Sequence, residues 1–503
     1  MIDTLPDRDR ITIAILALGG EGGGVLAEWI QQLARDNGYV AQGTSVPGVA
    51  QRTGSTVYYI ELVRERADGG NRPDPVLAMM PVPGDVDIVI ASELMEAGRA
   101  ILRGFVSTDR TTLIGSTHRV YAISEKSSPG DASGASARII DAAERRARRF
   151  IGFDMADAAA QSGSVISSVM FGALAGADAL PFSREAFEAA IRHGGKAIAP
   201  NLKGFESGFK RAREGDATRV SEAAPAVPTT EHGRAAAARI ASTLPVAAHG
   251  IAMEGVRRLM DYQDKAYAGV YLDRLEQFAA LDEPDGALTA AAARHLALWM
   301  AYEDTIRVAD LKIRASRSAR VEREVRLAPG QLLAVTEYMH PRLQEVCETM
   351  PAPLGRFILR SAGLRGRLEP LFSKGRHVRT TGLRWFLMLR LLAAMRVIRR
   401  STLRYAEEQA RIAAWLAFAL EVARTDRAAA VEILACQDLV MGYSDTFERS
   451  LAAFATVMDT ARALHGSPDL STRLAQIRAQ AMTNGLDAVS TCAVASPGVA
   501  RPA

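Results

Sequence analysis

The stretch ITIAILALGGEGGGVLAEWI, residues 11–30, decides the first half of the fold. An apolar run of β-forming residues leads into five glycines among the six positions 19–24, and a helical pattern begins near residue 23. A strand that enters a Gly-rich turn and then a helix brings unhindered backbone N–H groups and a helix N-terminus to one point, which suits a phosphate. The stretch therefore predicts a phosphate-binding turn formed by Gly19, Gly20, Gly22, Gly23 and Gly24.

Other interpretations of this turn stay open. A dinucleotide normally needs an Asp or Glu at the end of the second strand to bind a ribose hydroxyl, and YVAQGTSV (39–46) ends without one. A tight turn that binds no ligand is a further interpretation. Within the turn, Glu21 would repel a phosphate unless its carboxylate points away. The competing functions are therefore a nucleotide-dependent dehydrogenase and a non-catalytic scaffold or regulatory protein.

The chain divides into two differently patterned halves. Short β-type runs alternate with helical patterns from Ile11 to about Phe153, which predicts a Rossmann-like α/β domain with a mostly parallel sheet. The segment 214–233 is rich in small residues, Pro and Thr, as is typical of a linker, and helical periodicity dominates after it. The predicted parts are an N-terminal tail over 1–10, the α/β domain over 11–212, a linker over 213–247, an all-helical domain over 248–480 and a C-terminal tail over 481–503.

Composition excludes several classes of protein. The 503 residues are 23% charged and 48% hydrophobic, with a net charge of only +4, which does not indicate a nucleic-acid binder. The N-terminus lacks the basic and apolar regions of an export signal. The longest apolar stretch, around 385–398, is interrupted by Arg390 and Arg396 and is too short to span a membrane. We therefore expect a cytoplasmic protein with no membrane span.

The cysteines and histidines indicate no metal site. Cys347, Cys436 and Cys492 lie far apart, so the chain has no CxxC pair, and its eight histidines form no HxH or HxxxH pair. An iron–sulfur cluster normally needs four closely organised thiolates. Any metal or redox chemistry is therefore expected on a partner, and no catalytic residue is assigned to this chain.

A second glycine-containing loop follows the second predicted strand. In VPGVAQRTGSTVYYIEL (46–62), Gly48 and Gly54 surround Gln51 and Arg52. The guanidinium of Arg52 can donate paired hydrogen bonds to a phosphate or carboxylate. The alternative is an arginine that only ties the loop to its own domain.

The turn and the GVAQRTG loop together resemble the gamma domain of the 2-oxoacid:ferredoxin oxidoreductases. The helix VMFGALAGADALPF (169–182) and the ending NLKGFESGF (201–209) are also similar to that domain. Pro47 and Thr53 argue against the pyruvate branch, and the overall pattern is most similar to the indolepyruvate branch. The helical half resembles the extension of the larger subunits in that branch, notably in DYQDKAY (261–267).

The resemblance implies a division of labour between subunits. In such enzymes thiamine diphosphate attacks the 2-oxoacid, electrons pass through iron–sulfur clusters to ferredoxin, and coenzyme A takes the acyl group. This chain has neither the cysteines for clusters nor a GDG motif for the magnesium of thiamine diphosphate. The resemblance therefore implies an alpha subunit that carries thiamine diphosphate, magnesium and 4Fe-4S clusters, and an arylpyruvate substrate. This chain, inactive alone, would hold coenzyme A through the turn glycines and through Gly48, Gln51, Arg52 and Gly54.

Two features of the helical half allow both a functional and a structural interpretation. Between Arg356 and Arg404 there are thirteen Lys or Arg and one acid, Glu369, which suits an acidic partner such as ferredoxin or suits ion pairs within the fold. We expect Arg396, Arg399 and Arg400 to contact the electron acceptor. The aromatic residues of the second feature form either a substrate pocket or, as their helical spacing favours, part of the core; they are Tyr262, Tyr267, Tyr271, Trp299 and Tyr302.

Overall fold

The computed structural model describes residues 10–47, 55–65, 75–121, 136–214 and 228–484, except 326, 328, 329 and 373. The chain forms two compact units, Met1–Ala224 and Pro225–Ala503. The N-terminal unit is α/β and the second is mostly helical, so the predicted fold class is confirmed.

The N-terminal unit contains six described strands and seven described helices. Each predicted strand is present. Most of them are apolar runs that suit a sheet buried on both faces, whereas only Tyr39 is buried in the more polar strand YVAQGTSV. The elements are β1 (Arg10–Ala17), α1 (Gly23–Asp36), β2 (Tyr39–Val46), β3 (Thr56–Arg64), β4 (Ile88–Ala91), α2 (Leu94–Leu102), β5 (Thr112–Ser116), α3 (Ser136–Arg146), β6 (Arg149–Phe153), α4 (Met155–Ser162), α5 (Ile166–Gly176), α6 (Arg184–His193) and α7 (Ile198–Glu214).

The six strands form one sheet in the order β2-β3-β1-β4-β5-β6. Strand β1 pairs with β3 in antiparallel orientation and with β4 in parallel orientation. Strands β4, β5 and β6 continue the parallel part, and β2 pairs antiparallel with β3. The sheet is therefore mostly parallel, with β3 as the reversed strand.

Strand β1 shows why the sheet is covered on both faces. Ile13 and Ile15 belong to one apolar core, and Ala14 and Leu16 belong to a second core on the other face. Successive side chains of a strand point to opposite faces, so an uninterrupted apolar strand needs helices on both sides. Helices α1, α5, α6 and α7 contribute to the first core, and α2 and α3 contribute to the second.

The second unit contains fourteen described helices and one two-stranded ladder. The helices are α8 (Glu231–Thr243), α9 (His249–Tyr262), α10 (Lys265–Ala279), α11 (Ala287–Met300), α12 (Thr305–Ile313), α13 (Ala315–Glu324), α14 (Leu343–Thr349), α15 (Ala352–Arg360), α16 (Ala362–Leu368), α17 (Leu383–Ala394), α18 (Leu403–Ala423), α19 (Arg427–Ala435), α20 (Ser444–Ala463) and α21 (Leu470–Asn484). The ladder joins β7 (Thr336–Met339) to β8 (Arg376–Arg379) in antiparallel orientation.

The segment predicted as a linker, 213–247, contains a helix. Helix α8 begins after Thr230, whose hydroxyl accepts a hydrogen bond from the Gly233 N–H at 3.1 Å. Its Ile240 is buried in the core of the helical unit. The Ala-rich sequence of α8 forms a helix because alanine has the highest helix propensity, although its apolar pattern is weak.

In the described part of the chain, no single helix is long and apolar enough to cross a membrane. Helices α4 and α5 meet the length and composition requirement only together, and they are bent by 112° relative to each other. All but one residue of α5 is buried within the N-terminal unit, so its apolar sequence is accounted for by the core.

Candidate functional site

The glycine turn joins the end of β1 to the start of α1. Gly20 and Gly22 have φ angles of +93° and +74°, in the left-handed region that side chains other than glycine rarely adopt. The Glu21 N–H donates to the Leu18 carbonyl at 3.2 Å and closes the turn. Glycine is therefore required at positions 20 and 22 for the path of the backbone.

The five glycines of the turn have different surroundings. A Cβ atom at Gly22 would lie 2.8 Å from the Ser167 hydroxyl, and one at Gly23 would lie 2.6 Å from the Ala17 Cβ. By contrast, a Cβ at Gly19 or Gly20 would meet no atom within 4 Å. Gly22 and Gly23 are thus needed for close packing, whereas Gly19 and Gly20 border open space.

The N-terminus of α1 is available to an anion. Its N-cap residue is Gly22, no side chain caps the first turn, and that turn contains no acidic residue. The first N–H groups of a helix have no partner within the helix and carry the positive end of its dipole. Together with the open space beside Gly19 and Gly20, this geometry suits a phosphate or another anion.

The carboxylate of Glu21 is held on the β4 side of the turn. It accepts hydrogen bonds from the Ser92 hydroxyl and from the Leu18 N–H, the latter at 3.3 Å. The His118 Nε2 atom lies 3.5 Å from its other oxygen. Glu21 is therefore fixed by neighbours from β1, the end of β4 and the segment after β5.

Polar side chains from three parallel strands meet at this edge of the sheet. Ser92 follows β4, and Ser116 ends β5, where its hydroxyl lies 2.7 Å from the His118 Nδ1 and accepts the Met155 N–H at 3.0 Å. Helix α1, which follows β1, packs on one face of the sheet, and α2, which follows β4, packs on the other. Such a point is where open α/β sheets bind ligands.

Two buried glutamates lie behind this edge. Glu93 accepts hydrogen bonds from the N–H groups of Met95 and Glu96 at 2.9 Å each, and it caps α2. Glu96 forms an ion pair with Arg99. Burial raises the pKa of both glutamates above the ordinary value for a carboxyl group. Glu93 therefore stabilises the start of α2, and Glu96 is bound by Arg99.

Five of the nine predicted site residues, the glycines of the turn, can be located. Gly48, Gln51, Arg52 and Gly54 lie outside the described residues. The strands on either side of their loop are described: Val46 pairs with Val57, and Thr56 pairs with Ala17 at the end of β1. The β2–β3 connection therefore leaves the sheet at the same edge as the glycine turn, as a shared ligand would require.

No sequence motif marks Ser92, Ser116 or His118 as neighbours of the turn. Each residue follows or ends a buried parallel strand, in IVIAS and TLIGSTH. The carboxyl ends of parallel strands share one edge, so polar residues at these positions were a signal that could have been used. Their contact with Glu21 depends on strand order, which the sequence did not reveal.

No cluster of three or more metal-ligating side chains occurs among the residues that the structure describes. Cys347 and Cys436 are buried, free thiols of the helical unit. Burial raises the pKa of Cys436 to about 12, so this thiol stays protonated and is a poor metal ligand.

The expected contact with an electron acceptor is wrong for Arg396 and Arg399, because both guanidinium groups are bound within the fold, and it stays a prediction for Arg400. Arg399 is 1% exposed and forms an ion pair with Asp304. Arg396 donates to the carbonyl of Gln263 at 2.8 Å. Arg400 is exposed but pairs with Asp264 at 2.7 Å. These cations bind backbone carbonyls at the C-terminal end of α9 and the carboxylates of the N-cap residues Asp264 and Asp304.

The aromatic group belongs to the core, in agreement with the structural interpretation. All five side chains are buried, and the Tyr267 and Tyr271 hydroxyls donate to backbone carbonyls at 3.0 and 2.9 Å. The indole N–H of Trp299 donates to Glu408 at 2.9 Å. None of these rings lines the cavity of the helical unit described below.

A cavity of about 630 Å³ lies elsewhere in the helical unit. Its walls come from α12, the β7–β8 ladder, α14, α17 and the starts of α18 and α20. Trp385, Met388, Leu389 and Leu392 of α17 form one apolar wall. Sequence periodicity did not reveal this cavity, because its lining is assembled from segments far apart in the chain.

Comparison with known proteins agrees with the predicted resemblance. Residues 12–211 match the family model described as pyruvate ferredoxin/flavodoxin oxidoreductase, and residues 248–460 match a family described as of unknown function (DUF6537). The indolepyruvate oxidoreductase subunit IorB of Pyrococcus horikoshii is 28% identical over 214 residues. That alignment covers 40% of this chain and 96% of the relative.

Solved structures of low identity also align with part of the chain. The pyruvate oxidoreductase subunit PORC of Thermotoga maritima is 17% identical, with a TM-score of 0.29, and the alignment covers 40% of this chain and 97% of that one. The gamma subunit of a keto/oxoacid ferredoxin oxidoreductase from Geobacter sulfurreducens is 17% identical, with a TM-score of 0.26, over 41% of this chain and 99% of that one.

Proposed function

We propose that this chain, whose residues 12–211 carry a pyruvate ferredoxin/flavodoxin oxidoreductase domain, is the accessory subunit of an arylpyruvate-oxidising complex. The complex would be an indolepyruvate ferredoxin oxidoreductase, which converts a 2-oxoacid to an aryl-acetyl-CoA and reduces ferredoxin. The alignment that spans nearly all of the P. horikoshii IorB subunit carries this proposal. Thiamine diphosphate, magnesium and 4Fe-4S clusters are assigned to an alpha subunit, and we expect the complex in the cytoplasm.

This chain's own contribution would be to bind coenzyme A. The uncapped N-terminus of α1 and the open space at Gly19 and Gly20 fit the pyrophosphate of that molecule. The β2–β3 connection, which contains Arg52, leaves the sheet at the same edge and would supply a cation. The carboxylate of Glu21 is held on the β4 side of the turn by Ser92, Leu18 and His118. These contacts explain how an acidic residue can lie next to an anion site.

The test of the proposed function is co-expression with the companion subunit. A brown complex that contains thiamine and reduces ferredoxin with an arylpyruvate supports the proposal. Nicotinamide-dependent activity of the lone chain would instead support a dehydrogenase, and a chain that gains neither a partner nor an activity would support a scaffold or regulatory role. The absence of an acid at the end of β2, where Thr44, Ser45 and Val46 stand, speaks against the dehydrogenase.

The isolated chain is expected to contain no stoichiometric iron. Its three cysteines are fewer than the four thiolates that a cluster normally needs, and the two that are described are buried in the helical unit. Metal analysis and an acid-labile sulfide assay on the chain purified alone, with the co-expressed complex as the positive control, provide the measurement. Iron and sulfide in a fixed ratio to the lone chain would contradict the assignment of clusters to the partner.

Arg52→Ala and Gly19→Val are expected to weaken the apparent affinity of the complex for coenzyme A about ten- to hundredfold. The first change removes a charge-assisted hydrogen bond worth roughly 1.5–3 kcal/mol. The second places a side chain in the open space of the turn. Gly19 is the suitable position because a side chain at Gly22 would be strained and would meet Ser167 whether or not a ligand binds.

Steady-state kinetics should vary coenzyme A and the arylpyruvate separately. Arg35→Ala, at the exposed far end of α1, serves as the charge control, and Gly19→Ala serves as the smaller steric change. The dependence on the arylpyruvate should change much less, because thiamine is assigned to the partner. If both variants assemble and keep the wild-type dependence on coenzyme A, the turn is structural and its assigned ligand is wrong.

A further inference from the structure

The side chain of Ser167 lies beside the glycine turn but belongs to another helix. Ser167 is in the first turn of α5 and is only 1% exposed. A Cβ atom at Gly22 would lie 2.8 Å from its hydroxyl, and Gly22 is the N-cap residue of α1. The glycine at position 22 therefore allows a hydroxyl from α5 to reach the start of α1.

This hydroxyl has no hydrogen-bond partner among the residues that the structure describes. The other serines of the same segment are all bonded. The Ser162 hydroxyl donates to the Ala158 carbonyl at 2.8 Å, and the hydroxyls of Ser164 and Ser168 lie 2.6 Å apart. A buried polar side chain normally has a partner, so the exception at Ser167 indicates a bound group that the fold itself does not supply.

The one acidic residue of the turn does not use the Ser167 hydroxyl. The carboxylate of Glu21 accepts hydrogen bonds from the Ser92 hydroxyl and the Leu18 N–H, and the His118 ring lies at its other oxygen. These partners hold Glu21 on the β4 side of the turn. The Ser167 hydroxyl is therefore free to donate to a ligand.

Backbone donors of α1 lie next to this hydroxyl. The first hydrogen bond of the helical ladder runs from the Leu26 N–H to the Gly22 carbonyl at 3.0 Å. The N–H groups of Gly23, Gly24 and Val25 precede the ladder and have no partner within the helix. Helix α5, which packs against α1, also begins without a side-chain cap or an acid in its first turn. The positive ends of two helices and one hydroxyl thus come together here.

We propose that Ser167 is a binding residue of the anion site at the start of α1, and that its hydroxyl donates a hydrogen bond to a phosphate bound there. This inference rests on the proposed function, because it concerns the site assigned to coenzyme A. The oxygens of a phosphate are arranged tetrahedrally, so they can accept from the N–H groups of α1 and also from a side chain of a second helix. A planar carboxylate has only two oxygens and suits this set of donors less well.

Ser167→Ala is expected to weaken the binding of inorganic pyrophosphate to the full chain by about tenfold or more, because a hydrogen bond to a charged acceptor is lost. Isothermal titration calorimetry provides the measurement. Ser162→Ala removes a hydroxyl of α4 that is already bonded within the fold, so it is the matched control and should bind pyrophosphate normally. Gly19→Val, in the open space of the turn, reports whether the anion occupies the site at all.

Stability without ligand separates a binding role from a structural role. Because the Ser167 hydroxyl has no partner in the described part of the fold, Ser167→Ala should unfold at the wild-type urea concentration or above it. Pyrophosphate should raise that concentration for the wild type and raise it less for the variant. A loss of stability in ligand-free Ser167→Ala that exceeds the loss in Ser162→Ala would assign the hydroxyl to the fold and overturn the proposal.

The outcomes distinguish this inference from the proposed function. If Gly19→Val abolishes pyrophosphate binding and Ser167→Ala leaves it unchanged, the role of Ser167 is wrong and the proposed function stands. If neither pyrophosphate nor coenzyme A binds the chain or its complex, both the inference and the assigned ligand fall. Displacement of pyrophosphate by coenzyme A supports both, whereas displacement by NAD⁺ alone would retain Ser167 as a binding residue and overturn the assignment of coenzyme A.

Discussion

Replacing Arg399 with methionine is expected to destabilise the helical unit by about 3–5 kcal/mol. The guanidinium donates from Nε to the Asp304 Oδ2 at 2.8 Å, and from Nη1 to the Tyr262 carbonyl at 2.7 Å and to the Gln263 Oε1 at 2.9 Å. It also lies 4.2 Å from the centre of the Tyr262 ring. Methionine fills similar volume but leaves the buried carboxylate of Asp304 without its cation.

The electrostatics of this arginine support a large effect. Burial by itself lowers the pKa of Arg399, but Tyr262 and Asp304 reverse that influence and raise it, so the residue stays charged. Asp304 also caps α12 by accepting the Arg307 N–H at 2.7 Å. Loss of the cation therefore weakens the junction of α9, α10 and α12 at once.

Urea unfolding followed by tryptophan fluorescence provides the measurement, since three of the four tryptophans lie in the helical unit. Arg400→Met is the matched control: its ion pair with Asp264 is solvent-exposed on both sides and should contribute less than about 1 kcal/mol. If both variants had the same free energy of unfolding, the buried Arg399–Asp304 pair would contribute no more to stability than the exposed Arg400–Asp264 pair. The same comparison explains why a basic stretch cannot be assumed to be a binding surface.

Sequence patterns predicted the N-terminal unit well because most of its strands are apolar runs. Burial on both faces removes the polar alternation that makes other strands ambiguous, and the two cores on either side of Ile13 and Ala14 illustrate this. What the patterns could not supply was strand order. The contact between Glu21 and Ser92 spans 71 residues and exists because β4 returns beside β1.

In the helical unit, helical spacing in the sequence continues past positions where N-cap residues divide one helix from the next. Residues spaced by three and four run through 256–274 as one helical pattern, from Val256 to Arg274. In the structure, however, α9 ends at Tyr262, and Asp264 caps α10 by accepting the Tyr267 N–H at 2.8 Å. Asp304 divides α11 from α12 in the same way. An Asp that interrupts an apolar stripe is a usable signal for such a break. Burial of Arg399 was not predictable, since its partners are more than 90 residues away.

A methyl group at Gly172 is expected to destabilise the N-terminal unit by about 3 kcal/mol or more. Helices α5 and α7 cross here with their backbones in contact. An added Cβ at Gly172 would lie 2.0 Å from the Phe205 carbonyl oxygen, and one at Gly208 would lie 2.0 Å from the Val169 carbonyl oxygen. Backbone atoms cannot rotate aside as a side chain can, so the two helices must separate.

The two positions lie on opposite helices of the same crossing, which allows a sharper test. Gly172→Ala and Gly208→Ala should each lower the free energy of unfolding strongly, but the double variant should lose less than the sum, because helices already separated by one methyl accommodate the second. Gly269→Ala in α10 is the control: no atom lies within 4 Å of its added Cβ, and the change should stabilise the helical unit by about 0.4–1 kcal/mol. Additive losses would mean that each methyl is accommodated locally. A loss at Gly172 no larger than the cost of an ordinary surface substitution would mean that the close crossing does not hold the N-terminal unit together.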